Sequence, residues 1–103
     1  MEVIKTTGRF IHDRPTIELQ GKLFPIDDRK SNIDKLQKDI AKPDNSGKED
    51  EVVIKALIGP EGFKAVTEMD LSMKDYQSLI VILQSQVYGI SEEEAKKRFL
   101  AGL

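Results

Sequence analysis

Residues 71–89 hold the densest apolar stretch of the chain and limit what it can fold into. Tyr76, Leu79, Ile80, Leu83 and Val87 recur at helical spacing and line one stripe of an amphipathic helix. Ser72 followed by Asp75 forms an entry cap, and Gly89 is suited to the left-handed conformation that ends many helices. Val81 and Ile82 fall outside the main stripe, so the helix is apolar on more than one side. Such a helix is central in its own domain or covered by a partner, and the rest of the chain reads as its cover.

That cover begins with a hairpin. Residues 16–26 place Gln20-Gly21 at a tip where a two-residue loop needs positive φ at both positions. This register sets Ile17 opposite Phe24 and puts Ile17, Leu19, Phe24 and Ile26 on one face. Residues 2–6, β-branched at Val3, Ile4 and Thr6, read as a further short strand, which residues 9–12 resume after Gly8. Pro25 confines its strand to an edge or ends it. Ser31 with Asp34 then caps a short helix over residues 32–41, carrying Ile33, Leu36 and Ile40. Residues 43–50 are almost all turn formers and read as a flexible exposed loop.

From residue 51 to 100 the pattern is helical. Val53, Ala56 and Leu57, with Ile54 and Ile58 beside them, form one stripe after the acidic entry Glu49-Asp50-Glu51. Gly59 ends that helix, and Pro60 opens the next at the position proline tolerates best. The next buries Phe63, Val66 and Met69. Ser91 and Glu94 cap a last helix with Ala95, Phe99 and Leu100 on its apolar side. The plan is a single α+β domain over residues 1–103: a β-rich region at 1–27, then a C-terminal bundle of short helices.

Several functions are disfavoured by residue type alone. With no cysteine, thiolate metal sites and cysteine nucleophiles are excluded, and the single histidine, His12, has no second imidazole to share a metal. Asp27-Asp28 and residues 92–94 lack the oxygen-ligand spacing of a calcium loop, and Gly59-Pro60-Glu61-Gly62 lacks the Gly-Lys-Ser/Thr ending of a phosphate loop. No enzyme, metal or cofactor is expected. A net charge of −2 without a basic stripe disfavours nucleic acid, and between residues 73 and 88 only Lys74 is cationic, too few for a recognition helix. No signal-peptide pattern or membrane-spanning run is present, so a soluble cytoplasmic protein is expected. The apolar run from Ile80 to Leu83 reads as core, or as a surface for self-association.

Leu57-Ile58-Gly59, Phe63, Ala65, Met69, Leu71-Ser72, Tyr76, Leu79, Ile82, Gly89, residues 91–94 and Arg98-Phe99, together with the hairpin, form a pattern. It resembles that of the small tail assembly chaperones of long-tailed phages and prophages. The resemblance spans most of the chain through diffuse motifs and carries no catalytic residue. It implies a non-enzymatic protein of the bacterial host cytoplasm that binds the tape-measure protein, keeps it soluble and helps recruit tail-tube protein. Tyr76, Ile80, Val81, Ile82 and Phe99 are the candidate partner-binding residues. Another small phage morphogenesis protein, such as a connector subunit, or a regulatory protein-binding module is the alternative.

Overall fold

In the computed structural model the chain is α+β, with one hairpin followed by four α-helices among the described residues. The structure describes residues 2–8, 10 and 14–101, the side chains of residues 99–101 excepted. Strands β1 (Thr16–Leu19) and β2 (Lys22–Pro25) pair antiparallel with Ile17 opposite Phe24, the register read from the sequence. Gln20 at φ 51° and Gly21 at φ 85° make the mirror-image turn that matches strand twist. The Glu18 carboxylate accepts the Gly21 N–H and holds the tip. Leu19 and Ile26 are buried, Ile17 and Phe24 half-buried, and Leu23 on the other face is exposed.

Residues 2–6 form no strand, contrary to the sequence expectation, and Val3 and Ile4 are exposed. Local β propensity cannot hold a strand that no neighbour pairs or covers. Of the expected extension at residues 9–12, only Phe10 is described, as an exposed bend; the rest, with His12, lies outside the described residues.

Helix α1 (Lys30–Ile40) starts two residues before the expected one. Ser31 is inside its first turn and does not cap it. No side chain caps it; Asp27 holds Arg29, the residue just before the helix, accepting the Arg29 N–H at 3.4 Å and the Arg29 guanidinium at 2.8 Å through each carboxylate oxygen. Arg14 adds a bond at 3.2 Å. The Arg29 hydrogen bond is the main reason the Asp27 carboxyl sits below its ordinary range. Its contribution is therefore complete above about pH 4 and is lost as pH falls through the depressed value.

Residues 43–48, read as an exposed loop of turn formers, are turns and almost all exposed, and they are internally hydrogen-bonded. A 3-10 turn, Pro43–Asn45, is followed by bonds from Ser46 N–H to Pro43 O at 3.1 Å and from Lys48 N–H to Asn45 O at 2.9 Å. The Asn45 side chain donates to Asp39 O at 2.6 Å and ties the turn to the end of α1. Helix α2 (Glu49–Met69) then begins with three acidic residues in its first turn, which the positive end of the helix dipole favours.

Helix α2 is broken at Gly59 (φ 78°, ψ 175°), as Gly59-Pro60 implies, giving arms over residues 49–58 and 60–69. That backbone region is essentially confined to glycine. A Cβ at Gly59 would meet nothing within 4 Å, so the constraint is the backbone itself. Gly62 is needed for a different reason: a Cβ there would lie 2.5 Å from the Ile58 side chain across the break.

The break also frees carbonyls. Pro60 has no N–H for Ala56 O, its partner in a continuous helix. Asn32 supplies the missing donor, its side-chain amide donating to Ala56 O and to Asp27 O, both at 2.9 Å. Leu57 O accepts the Asp27 N–H at 2.8 Å. The hairpin exit and α1 are thus fastened to the bend of α2.

Helix α3 (Met73–Tyr88) is capped as read: Ser72 Oγ accepts the Asp75 N–H at 3.1 Å, and Gly89 ends it at φ 63°. Leu79, Ile80 and Leu83 pack into one cluster with Leu19, Ile26, Leu36, Ile54, Leu57, Ile58 and Val66. Helix α4 (Glu92–Ala101) is capped by Ser91 Oγ on the Glu94 N–H at 3.1 Å and packs on α3, burying Ala95.

Replacing Asn32 tests the fastening. Asn32→Ala leaves a partly buried Ala56 carbonyl without its donor and should lower stability by about 1–3 kcal/mol in urea unfolding. Asn32→Asp, which turns a carboxylate toward two carbonyl oxygens, should cost more. Equal stability of all three proteins would remove this bond from the account.

Candidate functional site

Because α2 is broken, its two arms face one another. Lys55 Nζ from the first arm lies 4.6 Å from the centre of the Phe63 ring on the second, a cation–π contact across the bend. Between the arms and the start of α3 lies an open cleft of about 400 Å³. Phe63 and Val66 of the second arm, Leu71 of the linker, and Met73 and Tyr76 of α3 give it an apolar floor. Lys48, Asp50, Glu51 and Asp70 form its charged rim.

The sequence builds the rim locally. Asp50 and Glu51 stand in the first turn of α2, where acidic side chains favour helix entry, and so reach the cleft mouth. Asp70 ends α2 in the left-handed conformation at φ 48°, turning the chain sharply into Leu71 and α3. Burial raises the Tyr76 phenol above its ordinary range, and the charges of Asp50 and Glu51 raise it further. Tyr76 is therefore a neutral hydroxyl at physiological pH, set in a negative field.

These groups suit binding better than bond-making. An apolar floor with a polar, mainly acidic rim accepts an apolar side chain flanked by cationic or neutral polar groups. No set of three or more His, Cys, Asp or Glu residues among the described residues is placed to hold a metal ion. Among the described residues no helix is long and apolar enough to cross a membrane.

The five residues expected to bind a partner do not form one surface. Tyr76 lies in the cleft. Ile80 is only 2 % exposed, packed in the core, and so is corrected from a binding to a structural residue. One turn after Tyr76, the stripe has turned from the cleft into the interior. Val81 is half-buried in a separate groove between α3 and α4, beside Lys74, Gln77, Ser78, Glu92, Glu93 and Lys96. Ile82 is half-buried and lines neither concavity. The Phe99 side chain lies outside the described residues.

Phe63, Val66, Leu71 and Met73 were not anticipated at a site. Phe63 and Val66 read as core, and Val66 is indeed buried at the cleft floor. The signal that pointed to them was Gly59-Pro60, since two short arms joined by a sharp bend must present facing sides. Comparison with protein-family models, curated proteins and solved structures finds no match to this chain.

The field of the rim is measurable at Tyr76. With Asp50→Asn and Glu51→Gln combined, its ionisation should fall toward, without reaching, the ordinary tyrosine value, because the larger cause, burial, persists. Ultraviolet titration in a Tyr88→Phe background, where Tyr76 is the one tyrosine left, reads this directly. An unchanged Tyr76 titration would mean that the two carboxylates do not face the cleft.

Proposed function

We propose that this chain is a non-enzymatic protein-binding module that acts as a tail assembly chaperone of a long-tailed phage or prophage. In this reading it holds apolar helical segments of the tape-measure protein in the bacterial host cytoplasm and assists the recruitment of tail-tube protein. The observation that carries the binding role is the open cleft floored by Phe63, Leu71, Met73 and Tyr76. Of these, Met73 is 70 % exposed, an apolar side chain that the fold itself leaves in water. An amphipathic helix laying one apolar anchor into such a cleft would bury this surface, and the water-facing charges would keep the free protein dissolved. The assignment to phage tails rests on the sequence resemblance.

Co-expression with a phage tape-measure protein tests the proposal. Rescue of that protein's solubility is expected, together with a complex that survives purification. Met73→Asp, at an exposed position, should abolish rescue while leaving the thermal transition within a few degrees of wild type. A partner that stays insoluble with the wild-type protein, or rescue unaffected by Met73→Asp, would overturn the chaperone role or the cleft as its seat, respectively.

A further inference from the structure

The rim of the cleft is unbalanced in charge. Asp50, Glu51 and Asp70 stand on it against Lys48 alone. All four are exposed, and among the described residues none of the three carboxylates is in an ion pair. Further charges around the cleft do not reverse its sign. Glu49 accepts the N–H of Gly47, a lining residue, at 3.1 Å and adds a carboxylate at the edge. Lys55 is held over the Phe63 ring and lines a groove between α1 and α2. Even with Lys55 counted, carboxylates outnumber ammonium groups. Lys64 and Lys74 line other grooves, each beside two glutamates, Glu61 and Glu68 or Glu92 and Glu93. Tyr76 registers the negative sign inside: after burial, Asp50 and Glu51 are what raise its phenol.

We infer that the cleft selects, among apolar helical segments, those that carry Lys or Arg one turn from the apolar anchor. The anchor covers Phe63, Leu71, Met73 and Tyr76. A cation one turn away lies on the same face of the bound helix and meets the carboxylates of the rim. A long cationic side chain suits this place, because its methylene stem extends the apolar contact while its charged end stays in water beside Asp50 and Glu51. A segment flanked by Asp or Glu meets like charge there and is disfavoured. The rim is exposed, so each pair adds a modest, salt-sensitive share of affinity and mainly decides which segment binds. The inference rests on the cleft as the docking site proposed above and deepens that reading by naming the chemistry of the segment.

Synthetic amphipathic helical peptides test it, sharing one leucine stripe and differing in Lys, Gln or Glu one turn to either side of the central leucine. Their binding to the full chain is measured by calorimetry. The Lys peptide should bind about tenfold tighter than the Glu peptide, with the Gln peptide between them, and the gap should narrow as salt is raised. Asp50→Asn with Glu51→Gln should close most of the gap and leave the Gln peptide's affinity nearly unchanged. Glu61→Gln with Glu68→Gln removes the same charge from a different groove and should leave the gap as it is. Equal binding of the three peptides, a gap that survives Asp50→Asn with Glu51→Gln, or one that closes equally with Glu61→Gln and Glu68→Gln would overturn the inference while the cleft stands as a docking site. If no peptide binds, or if Met73→Asp leaves the Gln peptide's affinity unchanged, the cleft fails as the docking site and the inference falls with it.

Discussion

Two carbonyl oxygens at the bend of α2 organise the structure. In an unbroken helix Ala56 O and Leu57 O would be bonded within α2. With Pro60 lacking an N–H and Gly59 turned out of helical geometry, they are met by Asn32 and by the Asp27 N–H instead. An unmet buried acceptor costs about 1–3 kcal/mol, a large part of the stability of a domain this small. The break is therefore not a local defect. It is the point at which the hairpin exit, α1 and both arms of α2 become one body, with Ile26, Ile54, Leu57 and Leu83 closing the apolar interior around it.

The same bend makes the cleft. A straight helix of this length would present one continuous side to α3. Broken, it turns Phe63 toward Lys55 and gathers residues from both its ends around Tyr76. Two of the acidic residues that favour helix entry, Asp50 and Glu51, thereby acquire a second consequence, a negative rim over an apolar floor. Structure and candidate function are linked through one glycine–proline pair.

How much of this was legible follows from the range over which each feature is determined. The hairpin was readable because Gln20-Gly21 and the alternation of Ile17, Leu19, Phe24 and Ile26 are local and agree. The caps at Ser72 and Ser91, the stop at Gly89 and the break at Gly59 were readable for the same reason. Residues 2–6 misled because β propensity is local whereas strand pairing is not. Asn32 looked like one more polar residue of a surface helix, and only the freed carbonyl of Ala56, distant in sequence, gives it a role. The candidate site was half legible. Tyr76, expected to face a partner, lines the cleft. Ile80, expected beside it, is buried, because which side of an all-round apolar helix faces the core depends on where the arms of α2 lie.

Amide hydrogen exchange at Asp27 tests the organising role of the bend most directly. Asp27 belongs to no helix or strand, so its N–H has no ladder to protect it other than the bond to Leu57 O. That amide should exchange only with global unfolding, as slowly as the core amides of α3 around Leu83. Exchange at Asp27 as fast as in residues 2–6, with the α3 amides still protected, would contradict the account, because the hairpin exit would then not be fastened to the break in α2.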